Sequence, residues 1–423
     1  LALAGVPAAA TAAPLSLEDA IRAAWKNNPG IAASATMVTA ARADADSAKD
    51  QRLPSLVLSA KALATNEPVA AFGLKLDEQR IRATDFDPAR LNSPDVVGAV
   101  GLGAAVVQPL YMGGRLSGGA RAAQNQADAE AKQHERRTQE IALRVAQAYF
   151  GVQVATEATS YAEDVLSQAR ETEGFSKARN KEGLVLDADV ARATAFRAQA
   201  EAELDSAKNR LASARAALAL LTGESASELS TPLQSEVRGT KTGEMQRPDL
   251  ESARLRAEAA AEMVAVAKGS LKPEVMAQAA VETMRSDFDQ GAKWFTVGVF
   301  ARWKLSASDW QAKRAAENRA SAANQARTWQ EQQARYEVEE AARLLQTSHA
   351  KLASAREAVA ASESARTLRN ERHRQGLLPL TDVLDAQAAL AGARTLLLRS
   401  QFDARVAAAE LQLALGQPIE GVK

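Results

Sequence analysis

The chain has 423 residues, long enough for two or three ordinary domains, so burying a core is not its limiting problem. Its 52 basic and 52 acidic residues balance, which removes the electrostatic signature of a nucleic-acid binder, and the lack of cysteine excludes disulfides, thiolate metal sites, a cysteine nucleophile and a Cys-linked lipid anchor. No run of about 18 apolar residues occurs, so no transmembrane helix is expected, and a membrane role would need β-strands.

Residues 1–14 are apolar and small, with A-x-A-like steps such as Ala10-Thr11-Ala12; they fit either the tail of a secretory signal or a disordered Ala-rich terminus. Ser16-Leu17-Glu18-Asp19 resembles a capping box that opens a short helix, and Pro29 suits the first turn of another that ends before Pro54. Strands are expected at about 55–65 and 97–108, separated by a loop from Asn66 to Pro94 that is rich in Pro, Asp and Asn. From about 114 to 182 the chain is Ala-, Gln-, Glu- and Arg-rich without proline, which predicts a helix of roughly 70 residues, about 105 Å long. Gly183 ends it, and a return helix follows over about 186–222. Residues 224–246 form a Gly- and Pro-containing segment expected to bulge at an equatorial join. A second set of elements then runs from 247 to 416: strands at about 274–283 and 294–304, a long helix at about 307–375, a turn led by Gly376, and a return helix at about 379–415. Residues 417–423 are a tail.

The second set repeats the first. Without a gap, Gly183 onward matches Gly376 onward at an offset of 193, placing Val190, Leu204, Leu218 and Gly223 on Val383, Leu397, Leu411 and Gly416. Upstream, Asn28-Pro29 and Leu53-Pro54 pair with Arg247-Pro248 and Lys272-Pro273 at an offset of 219, so the extra length of the first copy lies mainly in its Asn66–Pro94 loop. The return segments carry a heptad stripe, Leu204, Leu211 and Leu218 in the first and Val383, Leu390, Leu397, Ala404 and Leu411 in the second. Each return helix is too short to match its long partner. Adding the helix that starts at Pro29 or Pro248 gives about 92 Å at 1.5 Å per residue, so a stacked pair of shorter helices is expected to run back along each long one.

The strand segments alternate with period two: Leu56, Leu58, Ala60 and Ala62 in the first, Phe295, Val297, Val299 and Ala301 in the last. About 10 residues each is the length that crosses a bilayer at a tilt, and Tyr111, Trp294 and Trp303 near strand ends suit an aromatic girdle. The same pattern also fits a half-buried soluble sheet on a helical bundle. Two hairpins cannot close a barrel alone, but three copies would supply 12 strands.

Three strings carry a family resemblance: Gln108-Pro109-Leu110-Tyr111-Met112-Gly113-Gly114, Gly183-Leu184-Val185-Leu186-Asp187-Ala188-Asp189-Val190, and Gly376 through Thr381-Asp382-Val383-Leu384-Asp385. With the doubled plan of short helix, strands, long helix and return helix, they make the chain, from Leu15 to Gln417, resemble the TolC-like outer membrane factors. The resemblance implies a mainly α fold with a small β part, trimerising into a 12-strand barrel in the outer membrane of a Gram-negative bacterium above a helical periplasmic tunnel. It implies no enzyme activity and no cofactor. The implied partners are two further copies of the chain, outer-membrane lipid, a periplasmic adaptor protein, and an inner-membrane pump or ABC transporter. The adaptor would dock at the Gly-led tips, Gly183, Leu184, Val185, Gly376, Leu377 and Leu378. By motif position Asp382 and Asp385 would ring the aperture, with Asp189 and Arg192 at the matching places of the first copy. One departure stands out, because the family pattern has an Arg two residues after the second tip glycine and a Tyr three before it, whereas here those are Leu378 and His373. The closing contacts of the tip must therefore differ or be weaker.

Other chemistry is set aside. His134, His349 and His373 lie far apart on helices without metal-ligand spacing, and Gly101-Leu102-Gly103 lacks the third glycine and the helix of a dinucleotide fingerprint. The alternatives from other classes are a soluble coiled-coil scaffold, which leaves the matched strands unexplained, and a periplasmic adaptor, which a doubled helix and strand plan argues against.

Overall fold

The computed structural model describes residues 14–224, 229–230, 245–285 and 292–419. The readings made for residues 1–13 and most of 224–246 lie outside the described residues. Helix α1 (Leu17–Asn27) and helix α2 (Pro29–Asp50) precede strand β1 (Ser55–Thr65). Helix α3 (Pro68–Asp77), a 3-10 turn (Ala83–Phe86) and helix α4 (Pro88–Asn92) then lead to strand β2 (Val97–Met112). Helix α5 (Arg115–Lys181) and helix α6 (Asp187–Thr222) complete the first copy. The second copy comprises α7 (Pro248–Gly269), β3 (Glu274–Arg285), β4 (Ala292–Arg302), α8 (Ala307–Arg374) and α9 (Leu380–Leu415). The protein is thus mainly helical with one small antiparallel sheet.

Three boundaries differ from the sequence reading. Strand β2 continues four residues past Gln108, across an irregularity between Pro109 and Tyr111 that lets a proline sit in the strand. Strand β4 starts and ends two residues earlier than expected, which puts Trp303 just beyond it. The Asn66–Pro94 loop is largely helical: Pro68 occupies the first turn of α3, Asp87 Oδ1 accepts from the Ala89 amide at 3.0 Å to cap α4, and Ala71 and Leu74 bury themselves against Val97, Ala99 and Met284.

The chain forms two compact units. The first holds Leu1–Met37, Ala131–Ser252 and Thr328–Lys423. Its main core joins Ile21 and Ala24 of α1 to Val145, Tyr149 and Val152 of α5, Leu218 of α6 and Ala409 of α9. The Tyr149 hydroxyl, on a fully buried ring, donates to Leu15 O at 3.0 Å, so no polar atom is stranded there. Alanine supplies much of the interior, including Ala200 and Ala207 of α6 beside Leu166 and Ala169 of α5, because small side chains allow close helix approach.

A buried ionic cluster lies where α7 begins. Arg247 meets Asp249 through two hydrogen bonds of 2.8 and 3.1 Å and reaches Glu337 of α8 at 2.5 Å, while Arg136 of α5 donates to Leu413 O of α9 at 2.8 Å. Burial pushes the Asp249 carboxyl upward, but the bonds and charge of Arg247, with Arg136 close by, outweigh it and hold the group below the usual aspartate value. The cluster therefore ties α7 to α8 as a charged, hydrogen-bonded clamp.

The repeat is visible in how helices are joined. At the end of α6 the Asn27 side chain donates to Thr222 O at 2.9 Å; at the end of α9 the Gln246 amide donates to Leu415 O at 3.0 Å, at the equivalent place of the second copy. Gly223 and Gly416 terminate these helices with φ of +73° and +75°. A Cβ on Gly416 would lie 2.2 Å from Gln246 O, whereas one on Gly183, whose φ is +72°, would meet nothing within 4 Å. Gly183→Ala should cost only the left-handed backbone penalty, about 1–2 kcal/mol, and Gly416→Ala clearly more. Thermal unfolding of the two variants in detergent checks this, and equal losses would contradict the packed join.

Candidate functional site

The sheet belongs to the second unit, Val38–Glu130 and Ala253–Arg327, and its order is β1-β2-β3-β4 with every pair antiparallel. The registers Ala60↔Leu102, Leu102↔Thr283 and Val281↔Phe295 decide which residues share a face. One face carries Leu56, Leu58, Ala60, Ala62, Val100, Leu102, Ala104, Val106, Ala277, Ala279, Val281, Phe295, Val297 and Val299. The large members of this set are exposed: Leu58 and Val297 by 73% each and Phe295 by 77%. The opposite face is mixed: it carries Ser55, Ser59, Lys61, Gln278, Glu282, Thr296, Gly298 and Arg302, but also Val57, Met276, Phe300 and, beneath Ala71 and Leu74 of α3, Val97, Ala99, Met284 and Trp294. A contiguous exposed apolar sheet face opposite one that bears all the Ser, Lys and Glu side chains of the strand middles fits a strand set that meets hydrocarbon on one side only.

The polar face has its own order. Lys61 of β1 and Glu282 of β3 approach to 3.5 Å across β2. They can do so because Gly101 and Gly103 lie beneath them, where a Cβ would stand 2.7 Å from Lys61 Cε or from Ser59 Oγ. This explains the Gly-Leu-Gly string as room for side chains that cross the strand. Near one end, Glu274 is held by Arg115 at 2.6 Å and by Arg302 at 3.0 Å, which fastens the start of α5 to β3 and β4.

Tyr111 and Trp303 stand at that same end of the sheet, both exposed, with Trp303 Nε1 donating to Leu271 O at 3.1 Å. Trp294 stands at the other end, half-buried against the cluster formed by Ala71, Leu74, Val97, Ala99 and Met284.

The helix tips lie in the first unit. Both are closed by the same turn: Leu184 N donates to Arg179 O and Gly183 N to Asn180 O, as Leu377 N does to Arg372 O and Gly376 N to His373 O. A side chain then spans each turn. Asn180 Nδ2 donates to Val185 O at 2.9 Å, and at the equivalent position His373 Nδ1 meets Leu378 O at 2.8 Å, so that nitrogen carries the proton. This bond is the contact by which His373 spans the second turn. Leu184 and Leu377 are exposed, with Leu186 beside them, but Val185 and Leu378 are half-buried because their carbonyls are drawn in by these side chains.

The first turns of α6 and α9 pack together through Ala193, Leu380 and Val383. Asp189 lies on the first turn of α6, and Asp382 and Asp385 lie near the start of α9. Asp382 is half-buried and Asp385 exposed. Arg192 is exposed and, among the described residues, makes no ion pair with either aspartate of α9. A carboxylate that the sequence reading did not single out holds α6 against α5: Glu173 accepts from Lys177 at 2.9 Å and Thr194 at 2.8 Å and faces Arg197 at 3.2 Å. The bonds from Lys177 and Thr194 keep its carboxyl below the usual glutamate value. Its spacing to Lys177 is a common helix-surface pair, and only the fold reveals the contacts to α6.

Among the described residues no helix is long and apolar enough to cross a membrane, and no group of three or more His, Asp or Glu could hold a metal ion. The membrane-crossing candidate is the sheet, and what this arrangement defines is the subunit of a membrane channel. The sequence model of the outer membrane efflux protein family matches residues 20–224 and 244–417, so the chain belongs to that family. The fold is similar to VceC, an outer membrane protein of Vibrio cholerae, with a TM-score of 0.80 and 23% identity over 96% of this chain and 97% of that one. It is also similar to the Campylobacter jejuni CmeC outer membrane channel (TM-score 0.82, 16% identity, 96% and 87% covered) and to the open state of the Neisseria gonorrhoeae MtrE outer membrane channel (0.77, 21%, 96% and 90%). No curated protein sequence matches the chain.

The two faces of the sheet should respond differently to charge. Val297→Lys places an ammonium in the middle of the apolar face and should cost about 2–4 kcal/mol in a bilayer, while Thr296→Lys, one residue away on the polar face, should be tolerated. Heat stability of the two variants reconstituted in lipid checks this. Equal effects would mean that both faces meet the same solvent.

Proposed function

We propose that three copies of the chain close their sheets into a 12-strand barrel across the outer membrane of a Gram-negative bacterium. The helices of the three copies line a periplasmic duct, and an inner-membrane pump or ABC transporter, joined through a periplasmic adaptor protein, expels its cargo through it. The observation that carries this reading is the four-stranded sheet, with an exposed apolar face and two outer strands that lack a neighbour among the described residues. Lipid tolerates no open strand edge, and threefold closure supplies a partner for each. A soluble scaffold or an adaptor would leave that face in water.

In this reading the tips serve two tasks. Exposed Leu184 and Leu377, with Gly183 and Gly376 setting the turns and Val185 and Leu378 beneath them, offer the adaptor an apolar contact. Asp382 and Asp385 fall three residues apart on one helix face and, taken three times around an axis, form a ring of six carboxylates. Two such charges about 6 Å apart repel by about 3 kcal/mol at an effective dielectric of about 20, so the ring draws cations. Asp189 adds to the negative field, and exposed Arg192 is free to meet the ring of a neighbouring copy. Tyr111 and Trp303 mark one end of the membrane-crossing strands, while Trp294, paired with Glu282, stands at the other end on the face that carries Lys61. In planar-bilayer recordings the parent channel should be cation-selective and blocked by divalent ions, and the double variant Asp382→Ala, Asp385→Ala should lose most of both properties. Unchanged selectivity and block would make these aspartates ordinary helix-terminal acids.

A further inference from the structure

Helix α3 is apolar on two sides, and the described chain covers only one of them. Ala71 and Leu74 are buried on the side that rests against Val97, Ala99, Met284 and Trp294. On the other side Val69, Phe72, Gly73 and Leu76 fall at helical spacing into a single stripe. Val69 is 79% and Leu76 57% exposed, and the half-buried ring of Phe72 carries the stripe onto exposed Phe86, 5.7 Å away between centroids. A helix that is apolar all round is ordinarily buried all round, so the stripe calls for a partner. Gly73 points the same way. A glycine inside a helix costs about 1 kcal/mol relative to alanine, and a Cβ placed there would meet nothing within 4 Å, so nothing in the described chain requires it. In the middle of the stripe, a missing side chain lets a second helix approach closely.

The register decides which partner can reach the stripe. Lys61 pairs with Gly101 and Gly101 with Met284, so α3 covers the sheet on the Lys61 face, opposite Leu58, Phe295 and Val297. It covers the end remote from α2, because β1 follows α2 at Ser55 and ends at Thr65, which pairs with Val97. In the assembly proposed above, on which this inference rests, that face turns inward, so lipid is excluded and the surface opposite each α3 is the α3 of another copy. A 12-strand barrel measures roughly 25 Å between opposite backbones, and a helix about 10 Å thick seated on the inside of each third of the wall leaves no clear path. Lys75, beside the stripe, is neutralised by Asp85 at 2.9 Å, so three copies can meet without bringing bare ammonium groups together. We propose that the α3 helices of three copies pack on one another through Val69, Gly73 and Leu76 and close the barrel at the end away from the long helices.

The test uses the full-length protein, which has no cysteine of its own, in native membranes. Val69→Cys and Leu76→Cys should each give covalent dimers on oxidation, since three thiols around an axis leave one unpaired, whereas Leu58→Cys on the other face should give none. Gly73→Leu meets nothing in the described chain, yet it should push the helices beyond the roughly 7 Å Cα spacing that a disulfide spans and abolish the dimers. Closure is read in whole cells through Ser59→Cys, on the Lys61 face and farther than Lys61 from the end that α3 covers. A polymer-linked maleimide added outside should label that cysteine slowly, and severalfold faster once Gly73→Leu is added. Absence of dimers from both stripe cysteines, their capture on a different protein instead, or Ser59→Cys labelling that Gly73→Leu leaves unchanged, overturns the proposal. Trapping of β1 on β4 of the next copy separates the two levels: where that pairing forms and the α3 dimers do not, the channel reading stands and this inference falls, and where neither forms the channel reading falls with it.

Discussion

Backbone amides and carbonyls on the outer edges of β1 and β4 have no strand to pair with inside the described chain, and the apolar face between them has no protein to cover it. Either feature alone would be tolerable in water, where edges are hydrated and small apolar patches are common. Together they set a constraint: the medium that suits the face cannot hydrate the edges. The proposed closure of the sheet on further copies of itself resolves it, so the argument for assembly rests on hydrogen bonding as well as on likeness to other proteins. In the proposed assembly the opposite face, where Lys61 and Glu282 cross at Gly101 and Gly103, would turn to the interior.

The doubled chain answers a second need. Long helices of 67 and 68 residues require partners over their whole length, and two shorter helices in series supply them. The weak point of such a stack is the junction, where carbonyls at the end of one helix and amides at the start of the next would both be orphaned. Asn27 on Thr222 O and Gln246 on Leu415 O solve this with a side chain in one copy and the backbone in the other. At the tips the same divergence recurs, with Asn180 and His373 each spanning an equivalent turn. The architecture is duplicated, while the chemistry at matched positions has drifted.

Much of this was legible in the sequence wherever the cause is local. Proline-free stretches rich in Ala, Gln, Glu and Arg specify helix residue by residue, and the glycines at 183, 223, 376 and 416 announce turns whose left-handed backbone only they adopt cheaply. Alternation in β1 and β4 foretold two unlike faces. What could not be read depends on distant parts of the chain. Pro68 and Pro88 looked like loop residues, though proline also begins helices, and α3 owes its place to Ala71 and Leu74 meeting Val97 and Met284. The half-burial of Val185 and Leu378 follows from side-chain bonds across each turn.

The central claim is that β1 of one copy pairs with β4 of the next. Because the chain has no cysteine, disulfide trapping reads that pairing without background. Val57→Cys in β1 can be combined in turn with cysteine at Thr296, Val297 and Gly298 in β4, oxidised in the membrane, and resolved under denaturing, non-reducing conditions. The account predicts that at least one register yields covalent trimers that reduction returns to monomers. No cross-link at any register in a channel that still conducts, or a ladder of bands running past three, would contradict it.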